Sequence, residues 1–221
     1  MDITVVGTAR ASLAPERATL HLQLGHEGGD KAQVLQATTA LVQSFSAYVD
    51  ELKHAQPSPT TWSAILPVRT RSWRPWSDKG EVLPLRFAAA SDVQVKYRDF
   101  RALAGTVDAW GGLAGVTVSN VEWALTEATR TTQEAAVLRR AVEDARARAQ
   151  AMATAAGQGE VRWLELADPG LLQGGARPSG GDTYVAASMR AGKAEGGGGG
   201  ADVAPEDIAW QVQVHARFAA G

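Results

Sequence analysis

The chain has 221 residues, 45% of them hydrophobic and 21% charged, with a formal charge of -2 at pH 7 and no cysteine. A chain of this length buries roughly 70% of its unfolded surface without covalent staples. Its charge balance excludes nucleic-acid binding by bulk electrostatics, which needs a concentrated excess of Lys and Arg, and the missing thiols exclude disulfides, thiolate metal sites and cysteine nucleophiles together.

Ile3 to Val6 and Ala18 to Gly25 flank Pro15, and in the second run Leu20, Leu22 and Leu24 alternate with Thr19, His21 and Gln23. That is the period of a half-buried strand, so the chain opens as a β-hairpin or a β-arch. Asp30 suits an N-cap, and Val34, Ala37, Leu41, Phe45, Tyr48 and Leu52 recur at helical spacing until Pro57 and Pro59 intervene. From Thr60 to Tyr97 the strand period returns, with a turn at Ser77-Asp-Lys-Gly, and the two arms are expected to pair as a long hairpin. Asp99 caps a second helix carrying Phe100, Leu103, Val107 and Trp110, ended by Gly111-Gly112. In the strand that follows, parity changes between Val118 and Val121, which predicts a bulge near Asn120.

Thr131 with Glu134 has capping-box spacing, opening an alanine-rich helix whose seam reads Leu138, Val142, Ala145, Ala149, Met152 and Ala156 and which stops at Gly157. Val161 to Leu166 gives a short strand closed by Asp168-Pro-Gly. Residues 170–204 lose periodicity and hold the Gly196 to Gly200 run, the composition of a flexible loop, before a last strand with Trp210, Val212, Val214, Ala216 and Phe218 on one face. This order predicts an α+β fold: a mixed, largely antiparallel sheet with about three helices on one face, in a single domain spanning 1–221. The N-terminus enters a strand pattern at once, with no export signal, and nowhere do about 20 apolar residues run together. A cytoplasmic protein without a transmembrane segment is expected.

With these segments placed, the chain resembles the SIMPL-domain family, which includes bacterial periplasmic immunogenic and oxidative-stress-defence proteins. The carriers are Ile3 to Gly7 with Pro15-Glu-Arg-Ala-Thr, the run Arg86 to Asp108, the helix Ala135 to Gly157, and Pro205-Glu-Asp-Ile before the terminal strand. The resemblance spans nearly the whole chain. It implies an α+β fold that tends to form homo-oligomers, with a structural or stress-related role and no established catalytic residue. Many relatives carry an export signal, and the Gly-rich loop is unusual for the family.

No nucleophile, base and orienter stand at catalytic spacing. Ser12, Ser119 and Ser188 lack a Gly-x-Ser-x-Gly elbow, and Gly192-Lys193 lacks the phosphate-loop pattern because Ala187 and Ala194 occupy its required positions. Of the histidines, His21 and His215 both fall on polar strand faces, and could share a metal or ligand if those strands were neighbours. The segment Arg69-Thr-Arg-Ser-Trp-Arg-Pro-Trp concentrates Arg69, Arg71, Trp73, Arg74 and Trp76 at a hairpin tip. Arg and Trp are enriched at interface hot spots, so this is the candidate interface; in the other reading, its Trp side chains fold back on the first helix. The expectation is a non-enzymatic, self-associating protein without a cofactor. The alternative is a small-ligand or metal-binding module using the His21/His215 face or a cleft near the Gly-rich loop.

Overall fold

The computed structural model describes residues 1–78, 81–172 and 205–221. In chain order its elements are β1 (Asp2–Leu13), β2 (Arg17–Gly28), α1 (Lys31–His54), β3 (Thr60–Ile65), β4 (Arg69–Trp73), β5 (Arg86–Tyr97), α2 (Phe100–Trp110), β6 (Val116–Ala124), α3 (Glu127–Ala155), β7 (Val161–Ala167) and β8 (Ile208–Ala220). The α+β class holds, but the strands divide between two sheets rather than joining one sheet covered by three helices. The described residues form two compact units, one from 1–14, 125–172 and 207–221, the other from 15–78, 81–124 and 205–206. Among the described residues no helix is long and apolar enough to cross a membrane.

In the first unit the sheet order is β1-β8-β7, with both pairings antiparallel. The last strand of the chain is therefore the central one, pairing Ile3 with Phe218 on one side and Trp163 with the same Phe218 on the other. Helix α3 packs on this sheet through Val137, Ala141, Ala145, Ala149 and Ala153, a strict spacing of four. That corrects the expected seam, since Leu138 and Met152 are 45% and 53% exposed. Small side chains on the buried row let the helix backbone come close to β1, and Gly7 is the point of approach. The helix also starts earlier than the Thr131–Glu134 spacing suggests. Thr126 is its N-cap, accepting from the Thr129 amide, while Glu134 is taken by Arg130 one turn back at 2.9 Å.

The second unit has the order β3-β5-β2-β6, with β4 also on β5. Strand β2 pairs with β5 and β6, so β1 and β2 do not form a hairpin. Strands β3 and β4 are two lengths of one long arm against β5, as expected, interrupted around Pro67, which has no N–H to give a ladder. The predicted bulge is present, since His21 pairs with Asn120 but Leu22 with Val118, leaving Ser119 extra. Helices α1 and α2 are capped by Asp30 and Asp99, whose carboxylates accept from backbone amides of the first turn. Together they cover the face carrying Leu20, Leu22, Leu24, Val93, Val95 and Tyr97, with Phe45, Val49 and Leu103 closing the core.

Candidate functional site

In the second unit, residues of β2, β4 and β5 that alternate away from this core form two cross-strand rows, Arg69–Ala90–Gly25 and Arg71–Ala88–Glu27. The middle strand offers only Ala and Gly in these rows, so a long side chain on β4 reaches over β5. Strands two apart stand roughly 10 Å from each other, and Arg71 Nη2 meets Glu27 Oε1 at 3.0 Å across Ala88, which is left 7% exposed. Arg69 pairs likewise with Asp92, which also accepts from Gln23 Nε2 at 3.2 Å. The result is a trough of about 610 Å³ floored by Gly25, Ala88 and Ala90 and walled by Arg69, Arg71, Glu27 and Thr117. At one end the His26 ring lies against Gly115, whose φ of +86° and lack of Cβ make room for it. Guanidiniums and carboxylates here are mutually neutralised and largely exposed, so the pairs add little stability and instead set an alternating polar lining.

Four of the five expected interface residues prove to be engaged within the chain. Arg69 and Arg71 hold the acidic partners just described, the Arg71 guanidinium also lies 4.7 Å from the Trp73 ring centroid, and Arg74 donates to the Leu83 carbonyl at 3.1 Å. Strand β4 ends at Trp73, and Trp76 beyond it is 83% exposed, so it does not fold back on α1. Across the turn Val82 is 84% and Leu85 36% exposed. Trp110 and Trp123, by contrast, are core residues, edge-on to Phe45 at 4.8 Å and to Phe100 at 5.0 Å.

The histidine expectation is corrected by the topology. His21 lies on β2 and His215 on β8, strands of different sheets, so they are not the neighbouring strands that the expectation requires. His21 Nε2 is 3.5 Å from Glu122 Oε2, and His215 Nδ1 accepts from the Gly170 amide at 3.5 Å. His54 Nδ1 bonds the Asp50 carbonyl at the end of α1. Among the described residues no three His, Asp or Glu side chains converge to hold a metal. The Gly196–Gly200 run, Gly192-Lys193, Ser188 and the cleft expected near them fall within 173–204, outside the described residues.

The trough and its polar pairs are not legible in the sequence because they join β2, β4 and β5 across distant positions, 44 from Glu27 to Arg71 and 69 from Gln23 to Asp92. The available signal is the run Ala88-Ala-Ala, three small side chains in succession within a strand whose other residues are mostly large, which marks a place where something crosses over. No curated protein matches the chain. One family model does, SIMPL, described as a protein of unknown function (DUF541), over residues 3–218. That match covers nearly the whole chain, as the resemblance carried by the sequence does, and the chain belongs to the SIMPL family.

Proposed function

We propose that this chain is a non-enzymatic, self-associating protein in which the arm from Arg69 to Trp76 makes subunit contacts. The observation that carries the reading is Trp76, 83% exposed beyond the end of β4, with Val82 on the returning arm at 84%. Single exposed apolar residues are ordinary, but a Trp joined by Val82, Leu85 and three Arg has the composition of an interface centre. Burying such a ring stabilises on the order of 3 kcal/mol, enough to be decisive in an assembly that repeats the contact. Light scattering on the intact chain and on the Trp73→Ala/Trp76→Ala variant tests it. An assembled wild type that loses mass in the variant supports the reading, and a wild type at 23.3 kDa overturns it.

The trough supports a second reading, a small-ligand module. Its volume of about 610 Å³ lies in the range of small-molecule sites, and its paired charges suit a polar ligand bearing both signs. A thermal-shift screen of zwitterionic compounds checks it; no shift with any of them, or shifts unchanged in Arg71→Ala, removes it.

A further inference from the structure

Strand edges are where a sheet invites another chain, and folded proteins blunt them. In the three-stranded sheet β1 and β7 are the edges. Helix α3 guards two places: Asp144 Oδ2 accepts from the Thr8 amide of β1 at 2.8 Å, and Gln150 Oε1 accepts from the Val161 amide at the start of β7 at 3.0 Å. Beyond Val161 the outer edge of β7 makes no further hydrogen bond among the described residues. Its sequence there, Arg162-Trp-Leu-Glu-Leu, is apolar but for two opposite charges.

Those charges are placed to match themselves. Pairing shifts between Trp163 and Glu165, so Leu164 is an extra residue. Arg162 then stands opposite Ala219 and Glu165 opposite Arg217, neighbours of one parity on β8, and both charges face one way. Trp163 and Leu166 stand opposite Phe218 and Ala216, on the face that α3 covers. Their positions leave them at the rim, since Trp163 stacks on Phe218 at 4.2 Å yet stays 39% exposed and Leu166 52%.

We infer that β7 pairs antiparallel with β7 of a second copy of this chain, about a two-fold axis between Trp163 and Leu164. In that register each Arg162, which has no ion partner among the described residues, meets Glu165 of the other copy, a carboxylate that Arg217 of its own β8 already holds at 3.4 Å and that stays 46% exposed, so the contact is self-complementary as an isologous interface requires. Two three-stranded sheets become one, with Trp163 of each copy opposite Leu164 of the other and Leu166 opposite Val161. A parallel arrangement, or a slip by one residue, sets Arg162 against apolar neighbours instead and turns the rim residues away from each other. This inference rests on the self-association reading but assigns a different surface from the Trp76 arm.

The test compares solution masses of the full chain and its Arg162→Glu and Arg162→Lys variants by light scattering, with melting followed by circular dichroism. Because Arg162 is exposed, Arg162→Glu keeps the folded circular-dichroism spectrum and cooperative melting while mass falls by about a factor of two, the step from an isologous pair to its halves, and its melting temperature loses the concentration dependence that association gives the wild type; Arg162→Lys keeps the wild-type mass. A nitroxide on Leu164→Cys, the single thiol of an otherwise cysteine-free chain, shows spin–spin broadening that dilution with unlabelled protein removes. An assembled wild type whose mass is unmoved by Arg162→Glu and whose label shows no broadening overturns the β7 pairing while leaving self-association standing. A wild type at 23.3 kDa overturns both.

Discussion

A Cβ built on Gly7 stands 2.1 Å from the carbonyl oxygen of Ala141, so β1 and α3 touch backbone to backbone at that point. Ala145 closes the other side, with its Cβ at 2.6 Å. Added bulk must push the helix off the sheet along a row of alanines that has no slack. Gly7→Ala is therefore expected to destabilise by about 2 kcal/mol, and Ala145→Leu by at least as much, as overpacking does. Gly29→Ala, where nothing lies within 4 Å, is the neutral control. Urea denaturation of the three variants checks this ordering.

Tyr97 is buried, and its hydroxyl donates to Thr106 Oγ1 at 2.9 Å, which donates in turn to the Ala102 carbonyl and meets the Tyr48 hydroxyl. Burial is the main cause holding its phenol well above the ordinary value of 10.0, outweighing the bond to Thr106. In the unfolded chain this phenol loses its proton near pH 10 while the folded chain keeps it, so the unfolded state binds fewer protons and stability falls as pH rises. The contribution is complete below pH 10 and shrinks by up to about 1.4 kcal/mol for each pH unit above it. Tyr97→Phe is expected to cost about 1 kcal/mol at neutral pH and to flatten this alkaline loss. Chemical denaturation between pH 8 and 11 reads both effects, taking roughly one unit or more on each side of the phenol value.

Asp30 accepts from the Ala32 and Gln33 amides at 2.7 and 3.0 Å, and Asp99 from those of Arg101 and Ala102 at 2.9 and 3.4 Å. Replacing either by Ala leaves first-turn donors without a protein partner and is expected to cost about 1 kcal/mol, with replacement by Ser recovering most of it. The tighter geometry at Asp30 predicts the larger loss there. Thermal melts of the four variants test the order.

The elements legible in the sequence are those whose cause is local. Both Asp caps, the strand alternation of Leu20, Leu22 and Leu24, and the bulge at Ser119 follow from neighbours a few positions apart. What could not be read is which strand meets which. Ile3 meets Phe218 and Leu20 meets Val95 and Val121, so adjacent strands β1 and β2 part into separate sheets for reasons carried by residues far down the chain. The His21/His215 face failed for that reason alone, since both parities were right. The α3 seam was misread because alanines line much of the helix surface and leave the period ambiguous, and the large Leu138 and Met152 drew the reading one position off the buried row. The Arg69–Trp76 cluster was visible as composition, but its pairing with Asp92 and Glu27 was not, and that pairing sorts the Arg residues, held in the sheet, from Trp76, which stands out of it.

Because Trp76 makes no core contact, Trp76→Ser is expected to leave the unfolding free energy of the dissociated chain, measured at low concentration, within about 0.5 kcal/mol of wild type, as surface changes do, while weakening association. Trp110→Ser, whose ring packs on Phe45 and Tyr48, is expected to cost about 3 kcal/mol or more. Paired denaturation and gel-filtration profiles separate the two.

Sedimentation equilibrium of the untagged full chain over a wide range of concentration tests the central claim most directly. Self-association predicts a weight-average mass that rises with concentration well above 23.3 kDa. A mass that stays at 23.3 kDa at every concentration contradicts it and turns attention to the trough between Arg71 and Glu27 as the working surface of the protein.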